Sequence, residues 1–156
     1  SLFLLGGYNH ANALAVQKLQ QRYGIRVGGF APAYQAYPFS EEHNQAIRAQ
    51  LQQFRPDYLF VAFGAVKQER WIADNLAFLR ALGVRLVVGC GGTFDFVAGT
   101  IKRAPRWLQR SGLEGLWRLT NEPSLFRLRR LLLSMRFFAV FYRYHIATIV
   151  RDSKSG

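Results

Sequence analysis

The chain has 156 residues, half of them hydrophobic and 15% aromatic, which is enough apolar surface for one folded domain and too much for an intrinsically disordered segment. A single cysteine, Cys90, excludes an internal disulfide and fits a reducing compartment. No basic-then-apolar leader opens the sequence and no uncharged apolar run approaches the roughly 18 residues that cross a bilayer, so neither secretion nor membrane spanning is expected. The formal net charge of +12 is unevenly placed: residues 1–99 hold nine Lys/Arg against six Asp/Glu, residues 100–156 twelve against three. A strongly basic back half favours an anionic partner, whether phospholipid, diphosphate or nucleic acid.

In chain order, residues 2–5 are a short apolar run ending at Gly6-Gly7, and Ala11, Leu14, Ala15 and Leu19 follow at helical spacing. Residues 25–27 form a second apolar run closed by Gly28-Gly29. Pro32 and Pro38 then mark a loop. Ser40 is placed to cap a helix whose first turn holds Glu41 and Glu42, acids that suit a helix N-terminus. Residues 58–63 read as a third strand, 67–82 as one helix, and 84–88 as a fourth strand running into Gly89-Cys90-Gly91-Gly92. Continuous apolar strands imply burial on both faces, and helices between them imply a parallel sheet. The expected fold is therefore α/β: a Rossmann-like parallel sheet of about four strands flanked by helices. Beyond it, Pro105 opens a short helical piece, residues 113–119 another, and Pro123 a long helix towards Arg151. The division expected is an α/β domain over 1–122 and a basic amphipathic helical appendage with a short tail over 123–156.

Ligands of open parallel sheets bind beyond the carboxyl ends of the strands, and two segments there are chemically unusual. In Phe63-Gly64-Ala65-Val66-Lys67-Gln68-Glu69-Arg70-Trp71, Gly64 permits a tight turn and the helix start attracts anions. Lys67 adds a point charge, and Gln68 offers a donor and an acceptor to a uracil edge or sugar hydroxyls. The same stretch also reads as an ordinary strand-to-helix turn with solvated charges. In Gly89-Cys90-Gly91-Gly92-Thr93-Phe94-Asp95, three glycines in four positions allow close backbone approach or an anion nest. Asp95 either meets a sugar hydroxyl or caps a turn. The G-x-G-x-x-G spacing of dinucleotide sites is absent.

Further on come Thr100-Ile101-Lys102-Arg103-Ala104-Pro105-Arg106-Trp107, Gly112-Leu113-Glu114-Gly115-Leu116-Trp117-Arg118-Leu119, and Glu122-Pro123. A G-x-x-KQE-x-W turn, a GGTFD turn, an RAP-x-W box, a GLE-x-x-x-RL segment and an EP step thus occur in register. Together, over residues 1 to about 130, they resemble the bacterial WecG/TagA/CpsF glycosyltransferases. The resemblance implies an inverting transferase with a UDP-linked sugar donor, commonly of the N-acetylmannosamine type. The acceptor it implies is a polyprenyl-diphosphate-linked sugar at the cytoplasmic face of the membrane, the product feeding cell-surface polysaccharide. It assigns Gly64, Lys67, Gln68 and Glu69 to one substrate-binding turn, Gly91, Gly92, Thr93 and Asp95 to a second, and Arg103 and Arg118 to basic positions. Departures are Val66 where the family usually has Pro, Gly115 in place of an aromatic, and Trp117 where Tyr is frequent. Val66 is expected to loosen the turn without altering its chemistry. The family's catalytic base is an upstream Asp, whereas the first acid here is Glu41; no catalytic residue is assigned, and the chain is expected to be the C-terminal portion of the enzyme, inactive alone.

No D-x-D pair is present to hold a metal between phosphates, and His10, His43 and His145 are isolated, so neither a metal nor a cofactor is expected. Stabilising the departing diphosphate then falls to Lys and Arg. Glu69 is expected to form a helix-surface ion pair. Residues 124–151 mix bulky apolar side chains with Arg127, Arg129, Arg130, Arg136, Arg143 and Arg151. Arg129, Arg136 and Arg143 share a helical face, as suits a helix in an anionic membrane interface or over a diphosphate. A packed amphipathic helix is the plainer alternative. No nucleic-acid motif accompanies the basic segment, so a nucleic-acid partner is not expected. The remaining alternative is a catalytically incomplete domain that binds a membrane surface or a nucleotide sugar.

Overall fold

A computed structural model describes residues 1–101, 104–110, 117, 132 and 133. The chain forms two compact units, Ser1–Lys102 and Arg103–Gly156. The first contains β1 (Leu2–Gly6), α1 (Asn9–Tyr23), β2 (Val27–Phe30), α2 (Glu41–Phe54), β3 (Tyr58–Ala62), α3 (Lys67–Asp74), α4 (Leu76–Ala81), β4 (Leu86–Gly89) and α5 (Thr93–Ala98). In the second, α6 (Arg106–Arg110) follows Pro105, and the described residues Trp117, Leu132 and Leu133 are helical. The rest of the two helices expected there lies outside the described residues.

The four strands are parallel in the order β2-β1-β3-β4. Leu2 pairs with Val27 on one side and Tyr58 on the other, which makes β1 central and all five of its residues buried. Strand periodicity sends alternate side chains to opposite faces. Phe3 and Leu5 join Leu59 and Val61 beneath Ile47 and Leu51 of α2, Trp71 of α3 and Leu79 of α4. Leu2 and Leu4 join Val27 and Ala62 beneath Ala15 of α1 and Phe94 of α5. Helices thus cover both faces, as the continuous apolar strands predict. Among the described residues no helix is long and apolar enough to cross a membrane.

Three local expectations are corrected. Gly28 and Gly29 lie within β2 instead of closing it. A Cβ on Gly28 would stand 2.6 Å from the Phe54 ring, and one on Gly29 2.1 Å from Asn12 Oδ1. The glycines therefore serve the close approach of α2 and α1 to the strand, not a turn. At the other edge, β4 starts at Leu86, and Leu86 and Val88 are 48% and 37% exposed; burial on both faces holds for β1 and fails there. The helix over 67–82 is two helices, broken at Asn75. The buried Asn75 side chain donates to the Trp71 carbonyl at 2.9 Å and accepts from Arg48 Nε and Nη2 at 3.0 and 2.9 Å. The Asn75 backbone itself leaves the helical region, at φ −106° and ψ 11°. Ser40 does cap α2, accepting from the His43 N–H at 3.2 Å.

Candidate functional site

From β1 the chain winds to β2 on one side, then crosses to β3 on the other. The direction of winding reverses between β1 and β3, and the crevice at their carboxyl ends is where such sheets receive ligands. Three turns meet there. After β1, Gly7 N–H donates to the Ala62 carbonyl at 2.9 Å, and Gly6 packs so closely that a Cβ would lie 2.8 Å from that same oxygen. After β4, Cys90 N–H donates to the Val61 carbonyl at 2.8 Å. The turn after β3 is thereby held between its two neighbours.

Gln68 fastens the second and third turns together. Its Oε1 accepts from Gly91 N–H at 3.1 Å and its Nε2 donates to Glu69 Oε1 at 2.9 Å. The side chain is 6% exposed and fills the space where a Cβ on Gly89 would stand, 2.8 Å from its Nε2. The sequence offers Gln68 to a ligand; in the fold each end of its amide makes one bond to the protein. Gly64 and Gly91, at φ 88° and 54°, have no heavy atom within 4 Å of where a Cβ would be. They supply the left-handed backbone of the two turns while their Cα atoms border open space.

Glu69 takes part in no ion pair among the described residues. The ion pair expected from the sequence is replaced by the Gln68 amide, because that donor is adjacent and held in place. This hydrogen bond, with backbone N–H groups, holds the Glu69 carboxyl below its ordinary pKa, which makes it a poor proton acceptor. Thr93 Oγ1 donates to the Cys90 carbonyl at 2.6 Å, closing the Gly91-Gly92 turn. Asp95 is buried in the first turn of α5, where the helix dipole favours a negative charge. Its carbonyl accepts from Thr100 N–H and Oγ1, both at 3.0 Å. Burial pushes the Cys90 thiol up to about 11.

Val66, immediately before α3, is strained: φ 71° and ψ −44° is an outlier for a β-branched residue. The loop between β2 and α2 reaches the same end of the sheet. Phe39 packs edge-on to Phe63 with centroids 5.0 Å apart, and Phe63 in turn to Trp71 at 5.6 Å. The Tyr37 hydroxyl donates to Asp74, which raises the phenol pKa. From this anchored loop the exposed Tyr34 ring meets Lys67, whose Nζ lies 4.4 Å from its centroid.

The structure thus gathers Gly64, Lys67, Gln68, Glu69, Gly91, Gly92, Thr93 and Asp95 around neighbouring turns at one end of the sheet. Arg103, Arg118, Arg127, Arg129, Arg130, Arg136 and Arg143 lie outside the described residues. Sequence reasoning missed two contributors. Gly6-Gly7 had a signal, a glycine pair between strand and helix. Tyr34 had none, because a tyrosine in a proline-broken loop shows nothing in its spacing. Compared with known protein families, residues 1–150 match the model of the Glycosyl transferase WecG/TagA/CpsF family.

Proposed function

Because the chain belongs to the WecG/TagA/CpsF glycosyltransferase family, whose members build cell-surface polysaccharide from a nucleotide-sugar donor and an acceptor, we propose that it carries the donor side of an inverting transfer. The donor is a UDP-linked sugar, of the N-acetylmannosamine type. The acceptor is a polyprenyl-diphosphate-linked sugar presented at the inner face of the cytoplasmic membrane. What carries this reading is the Gln68 bridge: the two turns holding the KQE and GGTFD blocks are joined through Gly91 N–H and Gln68 Oε1 at 3.1 Å.

The chemistry follows from the charges. Transfer leaves UDP as a diphosphate whose growing negative charge must be met by preorganised cations and N–H groups. Lys67, with no carboxylate partner among the described residues, supplies one cation. Arg103, Arg118 and the arginines at 127, 129, 130, 136 and 143 are assigned the rest, together with attraction to an anionic leaflet. No residue is assigned as the base that deprotonates the acceptor. Glu69 is held ionised and engaged by Gln68, which favours a second reading, a nucleotide-sugar-binding domain whose transfer step requires a base from elsewhere.

Titration calorimetry with UDP, a UDP-sugar and a random oligonucleotide tests both readings. Saturable binding of UDP and UDP-sugar is expected, weakened in Gln68→Ala and Lys67→Ala. Oligonucleotide binding without any response to UDP would overturn the donor assignment. Sugar transfer by the chain on its own would eliminate the second reading.

A further inference from the structure

The contact between Tyr34 and Lys67 links the loop after β2 to the first residue of the helix after β3. Those two strands flank β1, so the link belongs to the end of the sheet where winding reverses. Tyr34 is 88% exposed, so its ring packs on no core. Yet the loop that carries it is fastened over the residues that follow the ring. Gln35 Oε1 accepts from Ser40 N–H at 3.1 Å, Tyr37 is bonded to Asp74, and Phe39 is wedged between His43 and Phe63. Lys67 leaves α3 beside Gln68, whose amide is fixed on the glycine turn. A flexible ammonium on a fixed backbone is thus met by an exposed ring on an anchored loop, at 4.4 Å from its centroid, well inside the range of cation–π attraction.

We propose that Tyr34 is a positioning residue for Lys67: its ring holds the ammonium at the carboxyl end of the sheet, so that less side-chain freedom is lost when the ammonium meets the donor's diphosphate. The proposal rests on the donor reading above and adds to it a residue outside every motif block. Tyr34 acts here through Lys67 and not by touching nucleotide. Immobilising a lysine otherwise costs rotamer entropy at the moment of binding, and a ring that has already narrowed its rotamers removes part of that cost.

The test is a double-mutant cycle on the full chain, read by UDP and uridine affinity. Tyr34→Leu is expected to weaken UDP about two- to fivefold, to leave uridine unchanged, and to have no further effect once Lys67→Ala is present. Tyr34→Phe, which keeps the π face, is expected to bind UDP like the parent. Equal losses for UDP and uridine, or a loss that persists in Lys67→Ala, would overturn the proposal, since the ring would then be contacting the ligand itself. Failure of the donor reading looks different. In the ligand-free protein the Lys67 ε-methylene resonance is expected upfield from ring current, and shifted back in Tyr34→Leu. If that shift is present and the parent binds no UDP, the donor role falls for both residues; if the shift is absent, the positioning contact falls.

Discussion

Val66 is the one β-branched residue of the site held at positive φ, and with 59% of its surface exposed little packing offsets the strain. Expected from the sequence was a looser turn with unchanged chemistry. At φ 71°, however, the backbone is one that a proline ring, fixed near −65°, cannot adopt. Val66→Gly is expected to stabilise the fold by about 1 kcal/mol, relief of strain outweighing the added freedom of the unfolded chain. Val66→Pro is expected to cost at least about 2 kcal/mol by denaturant unfolding. A stable Pro variant would show that the turn has a second accessible geometry. Cys90 makes a second prediction at this scale. Its thiol sits 3.4 Å from the Val61 carbonyl and ionises at about 11 instead of 9.0 because it is desolvated. A folded pKa above the unfolded one contributes stability that is fully present below the unfolded value, and that stability is lost as pH rises from about 9 to about 11. At pH 8 the folded protein should carry about a hundredfold less Cys90 thiolate than the unfolded chain. Alkylation by iodoacetamide should be correspondingly slow, and rapid modification of the folded protein would contradict the burial.

Among the elements, the α3–α4 break is built around a buried polar side chain. Asn75 satisfies the Trp71 carbonyl and takes two N–H groups of Arg48, while Trp71 Nε1 donates to Asn44 Oδ1 at 3.1 Å. Through these bonds α2 is tied to the helices that follow β3, and thereby to the turn that carries Lys67. Asn75→Ala would leave Arg48 without its acceptor in a partly buried place, at a cost of about 2 kcal/mol in urea unfolding. An unchanged midpoint would mean that Arg48 finds another acceptor, such as Glu41, already 3.8 Å from its Nη1. The break itself was hidden in the sequence because apolar spacing continues through Asn75 at helical period. Nothing local announces that an arginine 27 residues earlier will meet its amide.

At the scale of the molecule, charge asymmetry is the dominant feature: the last 57 residues carry twelve Lys/Arg and three Asp/Glu. Lipid attachment through this segment predicts that replacing Arg129, Arg136 and Arg143 together by Gln lowers partition onto phosphatidylserine vesicles about a hundredfold at low salt. That figure follows from roughly 1 kcal/mol for each arginine near an anionic leaflet. The binding that remains should fall further as ionic strength rises. Equal sedimentation of parent and triple variant with the vesicles would dismiss the membrane role and leave those arginines to the diphosphate.

What the amino-acid order determined alone is whatever depends on neighbours in the chain. Short strand-like runs of three to six residues separated by helical spacing suffice for a parallel, doubly covered sheet. Ser40 with Glu41 and Glu42 suffices for a helix start, and five ordered motif blocks suffice for the family. Tertiary structure decided what depends on residues far apart. Gly28 and Gly29 belong to a strand because Phe54 and Asn12 lie against them. Gln68 turns inward because Gly91, 23 positions on, presents its N–H. Lys67 meets a ring 33 positions before it because β2 and β3 flank the same strand. Periodicity records which face of an element is apolar, but the polar partner of a particular atom is chosen only when the elements pack, since a hydrogen bond or cation–π contact depends on separations of a few ångströms that no linear spacing encodes.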